Sequence, residues 1–131
     1  MPYSLDDARF QGGDPRLYFI GTDQTAGALT GPNLAATLTM GLQEPFGGLR
    51  ARYRALWPVT DATSGITVTV DARQRMGDTP LPFVSNNMQP SGRIPLRASG
   101  RYAIITTQHA AGSVWTYTQG VELEADAAGV R

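Results

Sequence analysis

The sequence predicts an all-β protein, a single-domain antiparallel β-sandwich or barrel of about seven or eight short strands with an irregular N-terminal arm. Fifteen Gly and nine Pro divide the 131 residues into short pieces, which suits strands and turns better than long helices. Between these breaks, apolar and polar residues alternate with a period of two, and no stretch has a convincing helical period. The hydrophobic content of 41% is adequate for one core in a domain of this length.

Residues 1–15 are predicted to form the arm, because they are polar and turn-rich and end in the break Gln11-Gly12-Gly13-Asp14-Pro15. Residues 16–131 are predicted to form the single β domain. An arm of this kind becomes ordered by packing on a neighbouring molecule. Its candidate interface residues are Tyr3, Leu5 and Phe10.

The segment after the arm predicts one clear strand and one ambiguous element. Residues 17–20, with the sequence Leu-Tyr-Phe-Ile, form the first predicted strand, which ends at Gly21. Residues 27–32 are predicted to be a turn region because they contain two Gly and one Pro. Residues 34–40 fit either a strand or one short helical piece.

The clearest pattern of the chain follows Gly47-Gly48. Every second residue is apolar, in the order Leu49, Ala51, Tyr53, Ala55 and Trp57. The residues between the first four of these are basic: Arg50, Arg52 and Arg54. Because successive side chains of a strand point to opposite faces, the pattern places the three arginines opposite the core. Tyr53 and Trp57 are therefore candidate core residues, and Pro58 is expected to end the strand.

Two later strands are predicted from the same kind of alternation. Ile66, Val68 and Val70 alternate with two threonines and Asp71, so Val68 is a candidate core residue. Residues 77–80 and 86–87 have turn chemistry. Residues 101–107 form another predicted strand, in which Tyr102, Ile104 and Thr106 oppose Ala103, Ile105 and Thr107. The candidate core residues of this strand are Tyr102 and Ile104.

The C-terminal part predicts two more strands after a turn at residues 111–113. In the first, residues 114–118, the aromatic side chains of Trp115 and Tyr117 share a face. Two aromatics on one face can form a sugar-binding platform, but we expect both to fill the core. In the second, residues 121–125, Leu123 and its apolar neighbours Val121 and Ala125 are expected to face inward.

Charge and composition exclude several classes of protein. The net charge is zero, and a nucleic-acid-binding protein usually carries a basic excess, so no nucleic-acid partner is expected. No apolar run approaches the ~20 residues of a membrane span, and the N-terminus lacks the features of a signal peptide. The absence of Cys excludes disulfides and cysteine-based metal sites. All eleven basic residues are Arg, which tolerates burial at interfaces better than Lys.

No plausible catalytic set is present, so no enzyme activity, cofactor or metal is expected. The single histidine, His109, precedes a turn and is expected to be structural or exposed to solvent. Glu122 and Glu124 share the outer face of one strand, where carboxylates are usually solvated. Asp61, Asp71 and Asp78 do not fit a calcium-loop pattern.

The basic set Arg50, Arg52 and Arg54 is the main candidate interface. Three like charges on one strand face repel one another unless water, acids or a partner compensate them. Direct nucleic-acid binding is the least favoured of three interpretations, because this face lacks interleaved aromatic residues on which bases could stack. The other two are as follows. The face is either solvated and paired with acids of neighbouring strands, or it docks on an acidic surface of a partner.

From Leu17 to the C-terminus the chain resembles a β domain widespread in virion structural proteins of tailed bacteriophages. Six segments carry the resemblance: Gly31–Leu38, the arginine-rich strand ending in Trp57-Pro58-Val59-Thr60-Asp61, the Thr/Val strand leading to Ala72-Arg73-Gln74-Arg75, the stretch Ser91–Tyr102, Trp115 followed by Gln119-Gly120-Val121, and the ending Ala128-Gly129-Val130-Arg131. In that family the domain is often appended to a longer tail-hub or nozzle protein.

The resemblance implies an assembly function without catalytic residues. We therefore expect a virion protein, made in the host cytoplasm, that acts as a capsid cement or decoration protein and binds the major capsid protein or other virion proteins. A homo-oligomer, with a trimer favoured, would suit docking at symmetric positions. One alternative is a tail or head–tail junction component, such as a hub or nozzle part. A second, from another class, is a carbohydrate- or receptor-binding module that uses Trp115, Tyr117 or the loops around Asn86-Asn87.

Overall fold

The computed structural model describes residues 18–28 and 31–129 of the chain, and over these residues the fold is all-β, with nine strands and no helix. The chain divides into two compact units, Met1–Gly31 and Pro32–Arg131. The predicted arm and its boundary at residues 15 and 16 lie outside the described residues, as do its candidate interface residues Tyr3, Leu5 and Phe10.

The first unit contains one short antiparallel hairpin. Strand β1 (Tyr18–Ile20) pairs with β2 (Ala26–Ala28). The turn between them is closed by a hydrogen bond of 2.8 Å from Gly21 N to Thr25 O. The Asp23 carboxylate accepts hydrogen bonds from the backbone N and the hydroxyl of Thr25 at 3.2 and 2.6 Å, as is usual for Asp in a turn. The predicted turn region at residues 27–32 is wrong at its start, because β2 extends to Ala28.

The second unit consists of two antiparallel sheets that do not close into a barrel. The four-stranded sheet has the order β3-β8-β5-β6, and the three-stranded sheet has the order β7-β4-β9. The strands are β3 (Ala36–Thr39), β4 (Ala51–Thr60), β5 (Ile66–Arg73), β6 (Leu81–Ser85), β7 (Ile94–Gly100), β8 (Tyr102–His109) and β9 (Thr118–Ala127). The all-β prediction is confirmed, and residues 34–40 contribute a strand and no helix.

The core lies between the inner faces of these two sheets. The largest fully buried side chains come from both: Tyr53, Leu56 and Ile94 from the three-stranded sheet, and Val68, Val70, Ile105 and Thr107 from the four-stranded sheet. The ends of β5 and β7 approach closely at Gly100. A Cβ atom there would lie 2.8 Å from both the backbone N and the backbone O of Arg73, so only glycine fits.

Strand β4 follows the predicted alternation at its start and departs from it at Arg54. Ala51 and Tyr53 are buried, and Arg52 and Arg54 are exposed. A register shift between Tyr53 and Ala55 in both neighbouring pairings then places two consecutive residues, Ala55 and Leu56, in the core. Trp57 consequently leaves the core face and is half-buried, which corrects its predicted core position.

Pro58 does not end this strand, contrary to the prediction. Strand β4 continues to Thr60. Its pairing with β7 stops at Leu56, whereas its pairing with β9 extends to Thr60. Pro58 therefore sits where the strand has only one neighbour, and an edge position tolerates a residue that has no N–H to donate.

The inner face of β8 is the opposite of the predicted one. Ala103, Ile105, Thr107 and His109 are buried, whereas Tyr102 and Ile104 are half-buried on the outer face and are not core residues. The register with β5 causes this assignment, since Ile105 pairs with the buried Val70. In an antiparallel pair, directly opposed residues point to the same face. The alternation in β5, including the core position of Val68, is confirmed.

In the predicted strand at residues 114–118, residues 114–117 form a loop and only Thr118 belongs to a strand. Trp115 is half-buried and packs against the core, whereas the Tyr117 side chain is 46% exposed. The predicted core position of Tyr117 is therefore wrong, because these two residues do not share a strand face. Strand β9 begins at Thr118, and Leu123 packs against the core on the predicted side.

Candidate docking surface

The arginines predicted from the alternation lie on the outer face of the three-stranded sheet. Arg52 and Arg54 are exposed in β4, and Arg50 is exposed immediately before it. They point outward because their neighbours in the sequence, Ala51 and Tyr53, are fully buried.

Two further arginines, which the sequence analysis did not select, adjoin this set. Arg97 is exposed on the adjacent strand β7. Arg73, the last residue of β5, lines one cavity together with Arg50 and Arg97. We call the five residues Arg50, Arg52, Arg54, Arg73 and Arg97 the arginine face.

Neighbouring strands compensate part of this charge. Arg54 forms an ion pair with Asp126 of β9, and both side chains are about half exposed. The Nη2 atom of Arg50 donates a hydrogen bond of 2.6 Å to the hydroxyl of Ser99. An exposed ion pair contributes little to stability because both partners are well solvated alone. The sheet therefore orients these guanidinium groups and leaves them accessible to a partner.

Three adjoining cavities run along the arginine face. One of about 270 Å³ is lined by Arg52, Arg54 and Asp126, and the next, of about 300 Å³, by Arg52, Arg54 and Arg97. The largest has a volume of about 380 Å³ and is lined by Arg50, Arg73 and Arg97. Its position is set by the edge strands β6 and β7, whose residues contribute most of the remaining lining. A partner with acidic projections would find several concave positive sites here.

The largest cavity contains polar groups whose hydrogen-bonding capacity is not used. Arg73 donates from Nη1 to the backbone O of Met76 at 3.2 Å, but its buried Nε has no partner among the described residues. The buried Oε1 of Gln74 also has no hydrogen-bond partner among the described residues. The one acid of the lining, Asp78, already accepts a hydrogen bond of 2.9 Å from Arg75 N. Neither Arg73 Nε nor Gln74 Oε1 is accessible to a ligand, so the cavity is a binding candidate because the exposed side chains of Arg50 and Arg97 line it together with Arg73.

Two other arginines are paired with acids and line none of these cavities. Arg101 Nε is 2.7 Å from Glu44 Oε1, and Arg93 Nη2 is 3.5 Å from Glu124 Oε2. The backbone N–H of Gly48, followed by Arg101, holds the pKa of Glu44 below its usual value. The guanidinium of Arg93 also lies 5.8 Å from the ring centroid of Trp57. These arginines have structural partners and serve as controls for the arginine face.

His109 lies in the core. It is the last residue of β8 and only 2% exposed, so of the two predicted environments the structural one is correct. Its Nε2 atom is 2.8 Å from the Thr118 hydroxyl. Burial lowers the pKa of His109, and the negative charge of Asp61 offsets part of this effect.

Asp61 anchors the loop that precedes β9. Its carboxylate accepts hydrogen bonds from the backbone N of Thr116 at 2.9 Å and of Tyr117 at 3.2 Å, and also one from the Thr116 hydroxyl. The hydroxyl and the backbone N–H of Thr116 are the main causes that lower the pKa of Asp61. On the other side, Asn33 Nδ2 donates to the carbonyl oxygens of Ser113 and Trp115 at 3.1 and 2.7 Å.

The described residues contain no group of three or more His, Cys, Asp or Glu that could hold a metal ion. Nor does any helix in the described part of the chain have the length and hydropathy to cross a membrane. Glu122 is exposed on β9, and Glu124 faces Arg93. Trp115 stacks on His109, and its ring is not available beside Tyr117 as one flat platform.

Comparison with known proteins gave no assignment. No family model matches the chain, and no curated protein or solved structure does so either.

Proposed function

We propose that this chain is a virion structural protein of a tailed bacteriophage, and that it acts as a cement or decoration protein on the assembled head. The observation that carries the proposal is the arginine face, in which Arg50, Arg52, Arg54 and Arg97 lie on the outer side of the three-stranded sheet and Arg73 adjoins them from β5. The sequence resemblance to β domains of phage virion proteins supplies the class. Within that class, accessible arginines held in fixed positions suit docking on an acidic protein surface.

The mechanism follows from the chemistry of arginine. The planar guanidinium donates two parallel hydrogen bonds to one carboxylate, so a row of arginines recognises a pattern of acids rather than negative charge in general. A protein that binds only the assembled shell shifts the equilibrium toward assembly by mass action. Several copies at symmetric positions, as in a trimer, would multiply this effect.

A tail or head–tail junction component is the alternative within the class. The same arginine face would then dock on a tail protein, in a small number of copies. The resemblance supports this alternative as well, because related domains are often parts of hub or nozzle proteins.

A carbohydrate- or receptor-binding module is the alternative outside the class. It would need exposed aromatic rings that lie side by side. Trp115 is half-buried and stacked on His109, with 4.9 Å between ring centroids, and only Tyr117 is exposed. The arginine face is therefore the better candidate surface.

The first experiment is the copy number of the chain in purified parent particles, measured by quantitative mass spectrometry against the major capsid protein. A ratio near one to one, or a simple fraction of it, supports a cement protein. A handful of copies supports a tail or connector part. Absence from the particles contradicts the virion assignment.

The second experiment tests the surface itself. Arg50→Glu combined with Arg52→Glu should leave the fold intact and abolish incorporation into particles, because an exposed face tolerates reversed charge and an acidic interface does not. The matched control is Arg93→Glu combined with Arg101→Glu, which reverses the same number of charges outside the three cavities. Normal incorporation of the first double variant would refute docking through the arginine face.

A further inference from the structure

The cavity of about 380 Å³ is the largest of the three on the arginine face, and among these three it is the one lined by strands of both sheets. It opens where the β6 edge of one sheet meets the β7 edge of the other, since residues of both strands line it. Its volume lies at the lower end of the ~300–1,000 Å³ typical of small-ligand sites. A single side chain of a partner is therefore a more suitable occupant than a large ligand.

The charge of the lining selects an anion. Arg50, Arg73 and Arg97 bring three guanidinium groups, against the single carboxylate of Asp78. That carboxylate is already engaged by the backbone N of Arg75 at 2.9 Å. Bringing like charges together around a cavity is unfavourable unless a counter-charge enters it.

The hydrogen-bonding groups are complementary to a carboxylate. Guanidinium groups bind carboxylates in a planar fork, and three of them, those of Arg50, Arg73 and Arg97, line this cavity. Gln74 lines the same cavity, and the nitrogen of its amide can donate to a carboxylate. An Asp or Glu residue supplies an acceptor in its side chain and a donor in its backbone N–H.

Part of the remaining lining is apolar and defines what flanks the acid. Leu81, Pro82 and Phe83 of β6 line the same cavity, and Leu81 is 79% exposed. Exposed apolar side chains beside a charged site gain free energy when a partner covers them. An acidic residue next to apolar residues matches this combination better than a run of acids.

We propose that this cavity is an anchor site for one acidic side chain, an Asp or Glu flanked by apolar residues, carried on a segment of the docking partner. The inference rests on the proposed function in one respect only, namely that the occupant belongs to a partner protein. Arg73 would make the central contact through its Nη atoms, while Arg50 and Arg97 would close the site from the outer face of the three-stranded sheet. Gly100 keeps the ends of β5 and β7 close enough for this arrangement.

The test uses the whole chain and two short peptides with blocked ends, one with a single Glu between leucines and one with Gln in its place. Binding is followed by NMR through the Arg73 Nε–H signal, which is assigned by its loss in Arg73→Gln. We expect the Glu peptide to shift this signal and to bind at least about tenfold more tightly than the Gln peptide, because charge-assisted hydrogen bonds are the stronger ones. Arg97→Gln, at an exposed position that spares the fold, should weaken binding of the Glu peptide, and Arg101→Gln should not.

Equal binding of the two peptides, or an unmoved Arg73 signal, would overturn the anchor site. So would a response to inorganic phosphate in the absence of any response to the Glu peptide, since that outcome identifies a different anion. The two proposals fail separately. If Arg50→Glu with Arg52→Glu abolishes particle docking but the Glu peptide does not bind, docking through the arginine face stands without the anchor.

Discussion

The imidazole of His109 stacks on the indole of Trp115, with the ring centroids 4.9 Å apart and the planes inclined by 32°. His109 ends β8 in the four-stranded sheet, and its Nε2 atom contacts the hydroxyl of Thr118, which begins β9 in the three-stranded sheet. Trp115 lies in the loop between these two strands. One neutral aromatic side chain thus connects both sheets and the loop that joins them.

The first prediction concerns the pH dependence of stability. Burial holds the pKa of His109 below its ordinary value of 6.5. As the pH falls through that value, the unfolded chain binds a proton that the folded chain does not, so the free energy of unfolding should decrease. At pH values above the ordinary pKa both states are neutral, and the full stability is present. Urea unfolding at about pH 7.5 and about pH 5.5 measures the difference.

The control for this prediction is His109→Gln, which keeps a polar group near Thr118 but does not titrate. The chain has no other histidine, so the variant should lose most of the stability difference between the two pH values. If the difference persists in His109→Gln, another group causes it and the assignment to His109 is wrong.

The second prediction concerns Asp61 and the loop that it anchors. Asp61→Asn removes the charge and one of the two oxygens that accept from Thr116 and Tyr117. The amide protons of Thr116 and Tyr117 should then exchange faster with solvent, because the open form of the loop becomes more populated. Hydrogen exchange followed by NMR measures this change.

Asp71→Asn is the matched control, since it makes the same chemical change on β5. It should leave the exchange of Thr116 and Tyr117 as it is. Unchanged exchange in Asp61→Asn would show that Asn33, which holds the same loop from the other side, is a sufficient anchor.

Several elements of the fold could be predicted because one face of each has a clear apolar excess. In β5 the apolar positions are Ile66, Val68 and Val70, and Thr or Asp lies between them, so only one assignment of the faces is reasonable. In β8 each face has an isoleucine and a threonine. The prediction of the inner face therefore depends on whether Tyr102 or Ala103 is assigned to the core. There the pairing with β5 decides the inner face, and a single strand's sequence does not contain that information.

The candidate site could be predicted only in part, again because the sequence of a single strand does not determine which strands lie beside it. The outward direction of Arg52 and Arg54 follows from local alternation in β4. The cavity that Arg73 and Arg97 line could not be predicted from local alternation, because these residues lie on β5 and β7, which belong to different sheets. Likewise, the bulge at Arg54 that moves Trp57 out of the core arises from the register with β7 and β9.

The third prediction concerns the hydroxyl of Tyr53. The side chain is fully buried, its hydroxyl has no hydrogen-bond partner among the described residues, and burial raises its pKa to about 12. Tyr53→Phe removes this unsatisfied group and keeps the ring, so it should stabilise the fold by about 1 kcal/mol. Tyr53→Ala should destabilise the fold by about 3–5 kcal/mol, because it leaves a cavity in the core.

Urea unfolding of both variants tests the role of this residue. A loss of stability in Tyr53→Phe would mean that the hydroxyl has a partner in the folded chain. In that case the hydrogen bond, and not only the ring, contributes to the core.

The fourth prediction concerns the close approach of β5 and β7. In Gly100→Ala the new Cβ would lie 2.8 Å from two backbone atoms of Arg73, N and O, and neither can move as a flexible side chain would. The strands must separate, which should cost about 1–3 kcal/mol of unfolding free energy. The same displacement should alter the cavity that Arg73 lines and weaken binding of the Glu peptide.

Gly120→Ala is the control for this substitution. Gly120 also lies in a strand, and an alanine Cβ there would have no atom of the described residues within 4 Å beyond its chain neighbours. Its stability should change little, or increase slightly, since alanine restricts the unfolded chain more than glycine does. Equal stability of Gly100→Ala and Gly120→Ala would show that β5 and β7 separate without cost. If Gly100→Ala is destabilised yet binds the Glu peptide as the parent chain does, the position of Arg73 is not critical, and Arg50 and Arg97 would have to hold the carboxylate.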